Sequence, residues 1–151
     1  MKALVVAGGI SQAALIKELK TRGIHTILAD KNPKAVAVPF ADEYYEVSTL
    51  DEEGIYQLAL KEKVDMVLTA CADQVLLITA KVSERLGLPC YIDYETAVNV
   101  SDKKHMKEIF VKNGVPTSKH VVMGEFDEKK VKGFEFPLIV KPVDAYSSRG
   151  G

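Results

Sequence analysis

KALVVAGGISQAALIKELKTRGIHTILAD, residues 2–30, decides the fold of this chain. Lys2–Ala7 is a short run of apolar β-formers, the pattern of a buried strand. Gly8-Gly9 makes a turn, and Ser11 stands where it can cap a helix. That helix is predicted to about Arg22. Leu15, Ile16 and Leu19 lie on one face, with Lys17, Glu18 and Lys20 on the other. Gly23 stops it, and Ile24–Ala29 is a second strand ending in Asp30. A strand, a helix and a strand joined by tight loops predict parallel strands with a right-handed crossover.

The same alternation continues. Asn32-Pro33 and Pro39 break a loop over 31–42. Tyr44–Val47 reads as a third strand, with one tyrosine ring inward and one outward. Asp51–Lys63 reads as a helix through Ile55, Leu58 and Ala59. Asp65–Thr69 is a fourth strand. Asp73 is placed to cap an apolar helix that runs through Leu86 to Gly87. Pro89–Ile92 is a predicted fifth strand, and Tyr94–Asn99 a short helical turn. The fold class is therefore α/β, a Rossmann-like doubly wound parallel sheet.

From Ser101 the pattern changes. Ser101-Asp102 caps a helix of about a dozen residues, closed by Asn113-Gly114 with Pro116 close behind. A strand near Lys119–Met123, a polar connection over 125–133 and a buried strand Leu138–Lys141 are expected next. Pro137 and Pro142 bracket that last strand, as suits strand ends. The boundary is expected near Asn99–Ser101, giving domains 1–100 and 101–151.

Composition narrows the function classes. Hydrophobic residues make up 47% of the chain, ample for a core, and the formal net charge is −1. No basic field points to nucleic acid. No apolar run approaches the roughly 18 residues that span a bilayer. Cys71 and Cys90 are too few and too far apart for a disulfide framework or a metal clip, so free thiols in a reducing cytosol are expected. His25, His105 and His120 form no ligand cluster, and no catalytic or metal-ligating set is signalled.

Several residues carry candidate chemistry. Gly8-Gly9 sits after a strand and before a helix, where open N–H groups attract anions. Yet G-x-G-x-x-G is absent, which argues against a dinucleotide-dependent oxidoreductase even though Asp30 stands about twenty residues on. Gly9, Gln12 and Asp73 belong to the carboxyl edge of the sheet, where open α/β sheets bind ligands, and are the candidate substrate contacts. Asp73 is alternatively a simple helix cap. Lys141 leaves a strand into a Ser147-Ser148-Arg149-Gly150 loop, in which small residues and cations suit phosphate oxygens. A plain strand edge with a flexible tail is the alternative there.

Two segments carry a family resemblance. Phe136–Gly151 resembles the F-P-x-[IV]-V-K-P-x-D…S-S-[KR]-G segment of the ATP-grasp superfamily. Asp102-Lys103-Lys104-His105-Met106-Lys107 resembles its D-K-x-x-[MFT]-[KR] helix start. Residues 2–100 resemble, more diffusely, the pre-ATP-grasp domain, including Ala29–Pro33 and the Ala41-Asp42-Glu43 step. The superfamily joins carbamoyl-phosphate synthase large-subunit-like, purine, biotin and peptide-type ligases.

The resemblance implies an ATP-dependent carboxylate–amine (or thiol) ligase working through an acyl phosphate. It implies nucleotide contacts at Lys107, Lys141, Ser147, Ser148, Arg149 and Gly150. It further implies a small-molecule carboxylate substrate, a cytoplasmic enzyme and a possible homodimer, without membrane or nucleic-acid partners. The strands that hold adenine and the Mg2+ ligands lie downstream in relatives. The chain is accordingly expected to be the front part of a longer enzyme, inactive alone and weak at best in binding ATP. The rival expectation is a non-catalytic Rossmann-like binding or assembly module, or one piece of a split ligase.

Overall fold

The computed structural model describes residues 1–143. Contacts divide the chain into a unit Met1–Ala97 and a second unit that begins at Val98.

In the first unit, β1 (Lys2–Val6), β2 (His25–Ala29), β3 (Glu43–Tyr45) and β4 (Met66–Leu68) form one parallel sheet in the order β3-β2-β1-β4. Leu4 pairs with Ile27 on one side and Val67 on the other, so β1 is central. Strand alternation sends its side chains to two cores. Leu4 and Val6 pack with Ile27, Val67, Ile55, Leu58, Val75 and Val82. Ala3 and Val5 pack with Leu28, Ala13, Ile16 and Leu19. Thus α1 (Ile10–Thr21) covers one face, while α2 (Glu52–Glu62) and α3 (Asp73–Leu86) cover the other. A 3-10 turn, Val38–Phe40, closes the edge beside β3.

The two tyrosines divide differently from the expected inside and outside. Both are half-buried, Tyr44 against the α1-side core and Tyr45 against the α2-side core. Each polar tip finds a partner: Tyr44 Oη donates to the Asp30 carbonyl at 2.7 Å, and Tyr45 Oη to Glu62 Oε1 at 2.7 Å. The strand itself ends at Tyr45, two residues earlier than predicted.

Helix ends follow sequence chemistry with two corrections. Asp51 caps α2 by accepting from the Gly54 amide at 3.0 Å. Ser11 caps nothing: Gly9 holds the N-cap of α1, and no side chain serves it. Asp73 is the first residue of α3 rather than its cap, which is Ala72. A carboxylate in the first turn still complements the helix dipole.

The fifth strand is not formed. Residues 88–92 are irregular, and Tyr91 donates from Oη to the Thr69 carbonyl at 3.3 Å. Asp93 then accepts from the Thr96 amide at 2.8 Å and opens α4 (Tyr94–Ser101).

In the second unit, Asp102 caps α5 (Lys103–Lys112) by accepting from the His105 amide at 2.8 Å. That hydrogen bond is the main reason its carboxyl sits below the usual carboxylate range. A one-turn helix, α6 (Glu128–Val131), follows. Neither predicted strand is present: residues 119–123 and 138–141 pair with nothing among the described residues. The predicted burial is reversed as well, with Ile139 85% and Val140 87% exposed. A run of β-formers becomes a strand only where a neighbour satisfies its backbone groups.

Candidate functional site at the switch point of the sheet

Chain order along the sheet reverses between β1 and β4. Open α/β sheets place their ligand crevice at such a reversal, outside the carboxyl ends of the strands. Here that position lies between the loop after β1 (Ala7–Gly9) and the loop after β4 (Thr69–Ala72). The helices that follow, α1 and α3, both begin there with no side chain capping the N-terminus. Their first N–H groups are left as donors, and their dipoles favour negative charge.

The loop after β1 is tightly built. Ala7 adopts φ +78 and still donates its N–H to the Ala29 carbonyl at 2.9 Å. Gly8 is a glycine through close approach: a Cβ there would lie 2.5 Å from Ala35 Cβ. Asp30 is used by the backbone. One carboxylate oxygen accepts from the Gly8 amide at 2.7 Å and the other from the Asn32 amide at 2.8 Å. It ties two loops together, a duty that conflicts with holding a ribose.

Of the candidate substrate contacts, Gly9 is exposed at the N-cap of α1, and Asp73 is exposed at the start of α3. Gln12 is 4% exposed, and its Nε2 donates to the Ala70 carbonyl at 2.6 Å. The fold therefore gathers Gly9, Gln12 and the loop leading to Asp73 at one edge of the sheet. A separate cleft of about 220 Å³, lined in part by Glu84, Leu88, Cys90 and Tyr94, follows the far half of α3.

Within the second unit, Lys107 Nζ donates to Ser118 Oγ at 3.0 Å and to Thr117 Oγ1. Lys103 lies one turn earlier, and its Nζ donates to the Val143 carbonyl at 3.1 Å. Sequence reasoning passed over Lys103. Its signal was its place directly after the N-cap Asp102, on the α5 face that carries Lys107. Lys141 is exposed in a segment without regular secondary structure. Ser147, Ser148, Arg149 and Gly150 lie outside the described residues. The Lys103 and Lys107 ammonium groups are thus both engaged by oxygens of this chain.

Among the described residues, no group of three or more His, Cys, Asp or Glu is arranged to hold a metal ion. No helix among them is long and apolar enough to cross a membrane. Cys71 and Cys90 are free thiols.

A doubly wound parallel sheet with a switch point between β1 and β4, and no dinucleotide glycine motif, defines a Rossmann-like domain. Residues 4–90 match the PylC-like, N-terminal domain family, and the chain belongs to it. The 3-methyl-D-ornithine–L-lysine ligase of Methanosarcina barkeri (strain Fusaro / DSM 804) is 32% identical over 119 residues, covering 78% of this chain and 32% of that protein. The crystal structure of N5-carboxyaminoimidazole ribonucleotide synthetase from Thermotoga maritima matches 90% of this chain and 37% of its own, at 25% identity and a TM-score of 0.74. The biotin carboxylase domain dimer of the Hydrogenobacter thermophilus 2-oxoglutarate carboxylase, crystallised with MgADP, ADP and bicarbonate, matches 77% of this chain and 28% of its own, at 25% identity and a TM-score of 0.64. The resemblance to ATP-grasp ligases drawn from the two motifs therefore holds. The chain spans about a third of the length of the curated relatives it matches.

Proposed function

We propose that this chain is the front part of an ATP-dependent carboxylate–amine (or thiol) ligase. Residues 1–100 would be its pre-ATP-grasp domain and 101–151 the opening of its ATP-grasp domain. One observation carries this proposal. The synthetase structure matches 90% of the chain, more than the first unit holds, so the likeness continues into the unit that bears Lys107 and Lys141.

In the proposed reaction a substrate carboxylate attacks the γ-phosphate of ATP, and a nucleophile then displaces phosphate from the acyl phosphate. Lys107, Lys141 and residues 147–150 would neutralise and position phosphate oxygens, a contribution of electrostatics and orientation. Mg2+, whose ligands would lie outside residues 1–151, would supply further neutralisation of phosphate charge. The carboxyl edge of the sheet at Gly9 and Asp73, above the buried Gln12, would receive the carboxylate substrate or its amine partner. Amino acids are the first class to screen, given the lysine ligase relative. A cytoplasmic setting agrees with the free thiols, and a homodimer is proposed from the biotin carboxylase domain dimer.

Hydroxylamine trapping tests this function. The full-length product of the encoding gene, given Mg-ATP, an amino acid and hydroxylamine, is expected to yield the hydroxamate with stoichiometric ADP. ADP release with no hydroxamate from any carboxylate would contradict the acyl-phosphate route.

A second reading, a split ligase or assembly module, is favoured by the exposure of Phe136 (88%), Ile139 and Val140. Apolar side chains so placed suit a partner chain. Co-purification of a second polypeptide needed for hydroxamate formation would select it.

A further inference from the structure

One buried side chain joins the two loops at the switch point. Gln12 Nε2 donates to the Ala70 carbonyl at 2.6 Å and lies 3.4 Å from Thr69 Oγ1. The Thr69 hydroxyl in turn donates to the Val6 carbonyl at 2.9 Å. On the other side, Gln12 Oε1 fills the space that a Cβ on Gly9 would need, 2.9 Å away. The carboxamide is thus wedged between the end of β1, the first turn of α1 and the end of β4.

The accepting carbonyl has a particular place. It belongs to the peptide unit that leads into Cys71, and Cys71 adopts φ +52. An L-residue leaves that conformation unless its surroundings hold it there. Ala72, the next residue, is the N-cap of α3. Gln12 therefore grips the loop just before the point where its backbone reverses and the α3 donors are presented.

We infer that Gln12 is a positioning residue. It fixes the spacing of the Ala7–Gly9 and Thr69–Ala72 loops and holds Cys71 in its left-handed conformation, so that substrate meets a preformed crevice. Gln12 does not itself contact the substrate. This rests on the proposal that the crevice receives substrate, and it accounts for a polar side chain buried at a surface where ligands are expected to bind.

The test has two arms, each with Gln12→Met, which removes the donor, and Gln12→Glu, which turns an acceptor toward the Ala70 carbonyl. The first uses the 151-residue chain and backbone 15N order parameters, with no ligand. Residues 70–73 are expected to fall from about 0.85 to below about 0.6 while β1 stays rigid. The second uses the full-length protein and a panel of α-amino acids in ATP-dependent phosphate release. KM for the amino acid is expected to rise about tenfold in both variants, with kcat and KM for ATP unchanged.

A raised KM with loops still rigid would make Gln12 a direct ligand and overturn the inference. Rigid loops and an unchanged KM would overturn it too. Should Gln12→Met fail to fold, Gln12→Glu carries the same test, and an unchanged loop in it contradicts the clamp. Absence of turnover by the wild type with every amino acid would count against the ligase proposal, while the order parameters still decide the clamp.

Discussion

Lys63 holds the left-handed conformation, φ 51 and ψ 53, that ends α2. Val64 donates to the Ala59 carbonyl and Lys63 to the Leu60 carbonyl, the two-bond closure that glycine serves at the ends of α1, α3 and α5. A Cβ is unfavourable there, so Lys63→Gly is expected to raise stability by about 0.5–1 kcal/mol, read from a denaturant midpoint. Ser83 is fully buried on α3, and its hydroxyl has no hydrogen-bond partner among the described residues. Ser83→Ala removes an unsatisfied polar group and is expected to stabilise by about 1 kcal/mol. Asp42 presents the opposite case. It accepts from Lys20 Nζ at 2.6 Å and from the Thr26 amide at 2.8 Å, and its carboxyl is lowered to about 2, chiefly by Lys20. A lowered folded pKa adds stability above the ordinary carboxylate range and loses it as pH falls toward 2. With its ion pair part-exposed and screened, Asp42→Asn is expected to cost about 1 kcal/mol at pH 7, a gap that closes between about pH 4 and pH 2. Equal melting temperatures for wild type and variant at pH 7 would rule this out. The Ala41-Asp42-Glu43 step was visible in the sequence as a resemblance. Its bond to Thr26 was not, because nothing local tells a chain which distant amide a carboxylate will meet.

Elements were legible where their periodicity coincided with their burial. Ala3–Val6 of β1 and Ile27–Ala29 of β2 are uninterrupted apolar runs because helices cover both faces of the sheet, and α1 to α3 follow from their apolar residues even where the N-cap falls elsewhere than expected. The failures share a cause. Pro89–Ile92, Lys119–Met123 and Leu138–Lys141 have strand-forming composition, but a ladder needs a neighbour, and a strand's neighbour cannot be read from its own residues. The same contrast sets a prediction. Leu4→Ala empties a site packed from two layers and is expected to cost about 2–5 kcal/mol. Ile139→Asp, at an exposed position of the second unit, is expected to change the chain's stability by less than about 0.5 kcal/mol. Urea titrations of both variants separate the two, and a large loss from Ile139→Asp would mean that the segment is covered.

At the scale of the whole molecule, the two units carry different charge. Residues from Val98 onward hold ten Lys and Arg against seven Asp and Glu, whereas the first unit is net acidic. The crevice was legible in outline, because a switch point follows from the order of strands and helices. The internal clamp by Gln12 was not, since sequence alone favours a ligand role for any polar residue at that edge. The ligase proposal is tested most directly by thermal shift with Mg-ATP, comparing the full-length product with its Lys141→Ala variant. Ligand that binds only the native state raises its apparent stability. A rise in melting temperature that is largely lost in Lys141→Ala is the result the ligase account predicts. No rise in the full-length wild type, or an equal rise in both proteins, would contradict it.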